Sequence, residues 1–120
     1  LISKCGTIGR CQVVRTEMEF SIFVGLALVK PIKDIINIDY LEIIFNTDIY
    51  QRRMELLAPG GTRSTLAIAP LKSLIVPVPP LDMQNELVIK YRGMLEVKEK
   101  LNQKINSSQS LQKSLINQVF

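Results

Sequence analysis

Between Leu74 and Glu86 the chain changes character. Leu74-Ile-Val-Pro-Val-Pro-Pro-Leu-Asp-Met-Gln-Asn-Glu86 runs from an apolar segment, through a proline bracket, into a pattern that stays helical to the last residues. Proline cannot donate to a β ladder, so Leu74, Ile75, Val76 and Val78 read as a buried edge strand with Pro77 at or near its last rung. Pro79-Pro80 forces extended backbone, and Asp82 then stands where an N-cap side chain would accept the orphan N–H groups of a helix. The joint predicts two unlike parts: a partial globular domain over residues 1–81 and a helix over residues 82–120.

The helix has its own period. Leu87, Met94, Leu101, Ser108 and Leu115 recur every seven residues, interleaved with Tyr91, Val97, Ile105, Leu111 and Val119 at steps of three or four. One narrow apolar seam therefore runs along a rod of about 57 Å. Such a stripe cannot be covered by its own helix. The seam residues Leu87, Tyr91, Met94, Leu101, Ile105 and Leu115 are expected to pack in a coiled coil, against a second helix of the parent chain or a second copy in a dimer. Ser107-Ser-Gln-Ser110 interrupts the seam and predicts a kink or a splayed region.

The first part has mixed patterning. Leu1 to Cys5, the Gly6 and Gly9 turn, and Arg10 to Arg15 read as strand, tight turn, strand, with glycine supplying positive φ. Ile22 to Val29 is apolar on both faces, as a central strand covered on both sides would be. Asn37 can cap a helix carrying Ile38, Leu41, Ile44 and Phe45. A second helix is expected from Ile49 to Leu57, with Ile49, Met54 and Leu57 inward and Gln51, Arg52, Arg53 and Glu55 outward. Ala58 to Thr65, with Gly60-Gly61, forms a donor-rich loop suited to close approach of a ligand or to a plain connection. Leu66 to Leu74 follows, with Pro70 as a first helical residue. The expected class is α+β: a small twisted sheet with short helices, then a long coiled-coil-type helix.

With 120 residues, 47% of them hydrophobic, one small core is affordable. The formal charge of +4 is shared evenly between the parts and permits nucleic acid without diagnosing it. Cys5 and Cys11 can face each other across the turn, yet no signal peptide precedes them, which favours a reducing cytoplasm and two small buried apolar residues. The sequence opens in mid-strand without an initiating methionine, the expectation for a fragment. No metal site, cofactor or membrane segment is implied. The chain has no histidine, no Gly-x-Gly-x-x-Gly, no Asn-Pro-Pro-Tyr and no acidic cluster at metal-binding spacing, so no active site can be assembled from it.

Three pieces, in order and at the right separation, carry a family likeness: Gly6-Thr-Ile-Gly9, Gly60-Gly-Thr62, and Val76-Pro-Val-Pro-Pro-Leu81 leading through Gln84 into the long helix. The chain resembles the DNA-specificity subunits of type I restriction–modification systems. Met83 stands where the family usually has glutamate before the glutamine, while Ser114 to Phe120 is similar to the close of the family's helix. The resemblance implies part of a target recognition domain followed by a conserved spacer helix, and partners in double-stranded DNA and in the methyltransferase and restriction subunits. It also implies no catalytic activity of its own. On that footing the candidate DNA contacts are Arg63, Thr62 and Ser64 on the glycine loop, Lys4, Arg10 and Arg15 on the hairpin, and Gln51, Arg52 and Arg53 beside the loop. Arg63 leads, because guanidinium can bond guanine in bidentate fashion. Two other readings stand beside it: a helical dimerisation fragment without DNA affinity, and the recognition end of a fused methyltransferase–nuclease.

Overall fold

The computed structural model describes residues 1–60 and 64–120. They form two compact units, Leu1–Asn85 and Glu86–Phe120. The elements in chain order are β1 (Ile2–Ser3), β2 (Leu26–Ala27), α1 (Ile38–Phe45), α2 (Asp48–Leu57), α3 (Ile68–Lys72) and α4 (Leu81–Val119). The class is mixed α+β.

The first unit is organised by α1 and α2 rather than by its sheet. Asn37 caps α1 as its position predicts, its side-chain oxygen accepting from the Asp39 and Tyr40 N–H groups. Leu41 and Phe45 on α1 and Tyr50 and Met54 on α2 turn inward to meet Ile2, Ile8, Ala27 and Leu66, and Ile2, Met54 and Leu66 are fully buried. Each of those three burials contributes roughly 2 kcal/mol. The Phe45 and Tyr50 rings pack tilted, with centroids 5.9 Å apart.

Four expectations are corrected. The central strand over 22–29 shrinks to Leu26–Ala27, which pairs antiparallel with β1 in the register Ile2 to Ala27 and Ser3 to Leu26. Its first half turns instead, with the Leu26 N–H bonded to the Phe23 carbonyl, so Phe23 and Val24 stay about three-quarters exposed, at 77% and 74%. On α2, Ile49 faces outward and Gln51 inward, where the Gln51 amide finds the Gly9 and Phe45 carbonyls to bond. Asp82 is not an N-cap: α4 begins at Leu81 and Asp82 lies in its first turn, where a carboxylate still suits the helix dipole. Finally, α4 runs unbroken through Ser107 to Ser110, the Ser107 hydroxyl returning to the Gln103 carbonyl at 2.9 Å.

The proline segment is corrected too, and in an informative way. It makes no ladder, and Ile75 is 82% exposed. Its carbonyls are instead claimed by side chains: Tyr50 donates to Ile75 at 2.8 Å, Tyr40 to Pro77 at 2.9 Å, and the Gln84 amide to Pro79 at 2.7 Å. Successive carbonyls of an extended chain point to opposite sides, so acceptors at 75, 77 and 79 share one side. Proline lacks a donor but keeps its acceptor, and side-chain donors suffice where a neighbouring strand could not.

Gln84 does more than this. Fully buried in the first turn of α4, it also donates to the Ile35 carbonyl at 3.0 Å and accepts from the Asn37 N–H at 2.8 Å. Next to it, Asn37 donates through its side chain to Asn85 at 2.7 Å. Gln84→Ala strips partners from three part-buried backbone groups, and the loss should be roughly 3 kcal/mol in a urea titration followed by circular dichroism.

Burial holds the Tyr40 hydroxyl above the ordinary tyrosine range, with nearby Tyr50 adding to the rise. A group that binds its proton more tightly when folded stabilises fully below its unfolded pKa, near 10, and that contribution is lost as pH rises through the folded value. Stability should therefore fall in alkali above about pH 10. Tyr40→Phe should cost about 1 kcal/mol at neutral pH and flatten that alkaline loss, read from unfolding midpoints across the pH series.

Candidate functional site

The Gly6 to Gly9 turn is built from its own residues. Gly6 and Gly9 adopt φ of 73° and 84°, the left-handed region in which side chains are strained. At Gly9 there is a second reason, since a Cβ would lie 3.1 Å from the Met54 Cε in the core. Ser3 ties the turn across its base: its backbone carbonyl accepts from Gly9 N–H at 2.8 Å, and its hydroxyl accepts from Arg10 N–H at 3.0 Å while donating to the Thr7 carbonyl. An antiparallel bridge joins Ile2 to Cys11, as the hairpin reading expects.

Two further connections bring other candidates to this turn. Gln51 donates from its amide to the Gly9 carbonyl at 2.7 Å and to the Phe45 carbonyl at 2.6 Å, which locks α2 against the turn. Cys5 bridges to Thr65, and Leu66 N–H bonds the Lys4 carbonyl at 2.9 Å, which anchors the chain just beyond the glycine loop. Lys4, Arg10, Ser64, Arg52 and Arg53 thus belong to segments bonded to one another. Arg10, Arg52 and Arg53 are exposed, whereas Lys4 and Ser64 are half-buried. The Arg53 guanidinium lies 5.1 Å from the centre of the Tyr50 ring, which limits its wandering.

Two candidates part from the group. Gln51 is interior, with its amide hydrogens engaged by backbone carbonyls, so it acts as a positioning residue rather than as an exposed reader. Arg15 pairs with Asp39 of α1. It follows a segment tied to that helix, where Cys11 N–H bonds Asn46 at 3.0 Å, Asn46 returns to the Cys11 carbonyl at 2.7 Å, and Val13 N–H bonds Glu42 at 2.9 Å. Arg63 and Thr62 lie outside the described residues. Asn46, Glu42 and Tyr50 shape this surface without having been singled out from the sequence. Glu42 and Tyr50 sit on amphipathic helices and Asn46 at the C-cap of α1, places where their residue types are ordinary, and their partners lie 25 to 35 positions away.

Reactive chemistry is not organised here. Burial pushes the Cys11 thiol up, with the N-terminal amino group opposing and Glu42 adding to the rise, so it is a poor nucleophile at neutral pH. Cys5 is exposed rather than buried, and both cysteines are free thiols. Among the described residues no three His, Cys, Asp or Glu side chains gather as a metal site, and no helix is long and apolar enough to cross a membrane. A cavity of about 1180 Å³ is lined by Met18, Phe20, Leu28 and Ile36 among others, and the basic residues of the turn and α2 do not line it. The second unit presents Leu87, Tyr91, Met94, Leu101, Ile105 and Leu115 exposed along α4.

Comparison with known proteins gives one informative likeness. The chain is 25% identical over 108 residues to the type I restriction enzyme EcoBI specificity subunit of Escherichia coli. It is similar to a specificity subunit. The alignment takes in 90% of this chain and 23% of the relative, so the chain spans under a quarter of that protein's length. No family model matches, and no solved structure matches significantly.

Gln51→Leu should leave the Gly9 and Phe45 carbonyls without their donor. The expected cost is about 2 kcal/mol in chemical denaturation, together with faster amide exchange at Gly9 and Arg10 by NMR.

Proposed function

We propose that this chain is a DNA-recognition part of a type I restriction specificity subunit, supplying sequence discrimination to a methyltransferase and nuclease complex without catalysing a reaction itself. The observation that carries the reading is the likeness to the EcoBI specificity subunit along nine-tenths of the chain. The arrangement of the turn, α2 and the segment after the glycine loop supports it. In this role Lys4, Arg10 and Arg52 hold phosphates, and Arg53, kept in place over Tyr50, joins them or reads a base edge. Arg63, Thr62 and Ser64 complete the reading surface, and Arg15 contributes only by leaving Asp39. Helix α4 serves as spacer, pairs with a second helix and docks the modification subunits. The setting for such a complex is the cytoplasm.

Fluorescence polarisation against a pool of random-sequence duplexes tests this. Binding should weaken steeply with salt. Arg10→Ala, Arg52→Ala and Arg53→Ala should each lower affinity and reduce the salt slope by about one where a phosphate contact is lost. Arg63→Ala should lower affinity further on preferred sequences than on the pool. A folded protein that binds no duplex at low salt would leave only the spacer and docking role.

A further inference from the structure

The second unit carries charge in an unusual place. Two seven-residue rows run along its seam, Leu87, Met94, Leu101, Ser108 and Leu115, and beside them Tyr91, Lys98, Ile105, Gln112 and Val119; Val97 and Leu111 flank the second row at the two places where it turns polar. Lys98 therefore stands inside the seam, in the row that a coiled coil buries, with Met94, Leu95 and Leu101 within one turn. Lys104 stands at its margin. Neither has a carboxylate three or four residues away in either direction: Lys98 meets Met94, Leu95, Leu101 and Asn102, and Lys104 meets Lys100, Leu101, Ser107 and Ser108. Lys90, at the same margin as Lys104 and two heptads before it, differs, for it is bonded to Glu86 at 2.6 Å on its own helix.

The acids of this unit are Glu86, Glu96 and Glu99, and the seven-residue numbering puts all three on the face away from the seam. A second copy of the helix, parallel or antiparallel and in any register, thus offers no carboxylate in its seam or at its margins. It would meet Lys98 with apolar, amide or cationic groups, and a buried cation without a counter-charge is costly. Lys98 can run its stem along the seam and lift its ammonium to the edge, where a partner's flanking carboxylate would receive it. Marginal charges of this sort set partner choice in helix pairs.

We propose that α4 pairs with a helix of different sequence, apolar along its seam and carrying Asp or Glu at the margins opposite Lys98 and Lys104, in preference to a second copy of itself. The two lysines are six residues apart, so the carboxylates that meet them lie about 9 Å apart along the partner's axis. The proposal rests on the helix-pairing role set out above and is independent of DNA recognition.

The test uses the whole chain and two labelled synthetic helices of about five heptads, alike in a Leu and Ile seam, one with Glu and one with Lys at the margins. Anisotropy titrations should show the Glu helix binding about tenfold tighter or better, with the difference shrinking at high salt. Lys98→Glu with Lys104→Glu should reverse the preference, and Leu101→Asp should weaken both probes. Circular dichroism checks that the variants keep their helix content. Equal binding of the two probes, or a preference unmoved by the double lysine variant, overturns the charge assignment while leaving helix pairing intact. Binding of neither probe overturns the pairing role itself. Sedimentation showing the unaltered chain as a tight dimer, or displacement of the Glu helix by random duplex, also overturns the proposal, the latter by giving these lysines to nucleic acid.

Discussion

The first unit depends on a row of carbonyls that have no strand beside them. Ile75, Pro77 and Pro79 accept from Tyr50, Tyr40 and Gln84, each donor borne by a different helix. A neutral hydrogen bond of this kind contributes about 1 kcal/mol, but an unmade one at a buried site costs more. The three bonds therefore matter chiefly as constraints. They fix α1 and α2 to one extended segment, and α2 in turn fixes the glycine turn through Gln51. Geometry at the exposed arginines is inherited from that chain of contacts.

Much of this was legible where local chemistry decides the outcome. Asn37 before Ile38 reads as a cap because a short side-chain acceptor can reach two orphan N–H groups, and it does. Gly6 and Gly9 read as a turn because few other residues tolerate positive φ, and both have it. The α+β class, the two short helices and the long one follow from periodicity. Illegible were the features set by distant partners. An apolar run such as Ile22 to Val29 looks the same whether a sheet covers it or it bends at Val24-Gly25, and here the ladder is two residues long. Gln51 looked like an outward polar residue until the carbonyls of Gly9 and Phe45 came within reach of its amide.

The candidate surface was legible in composition but not in arrangement. Lys4, Arg10, Arg52 and Arg53 are scattered over fifty positions, and what gathers their segments is the bond from the Gln51 side chain to the Gly9 carbonyl and the backbone bond from Leu66 to Lys4. Arg15 belonged to the same list by residue type and by its place on the hairpin, and the ion pair with Asp39 gives it separate work. Charge sign is readable from sequence, whereas charge availability depends on whom the fold sets beside it.

The carbonyl row also has a bearing on how this segment tolerates change. Its bonds use backbone oxygen, so the identities of residues 75, 77 and 79 are not read by their partners. What is read is count. Insertion or loss of one residue between Ile75 and Pro79 would turn the alternate oxygens away from Tyr40, Tyr50 and Gln84. The proline string therefore works as a ruler, open to substitution along its length but fixed in the number of its divisions.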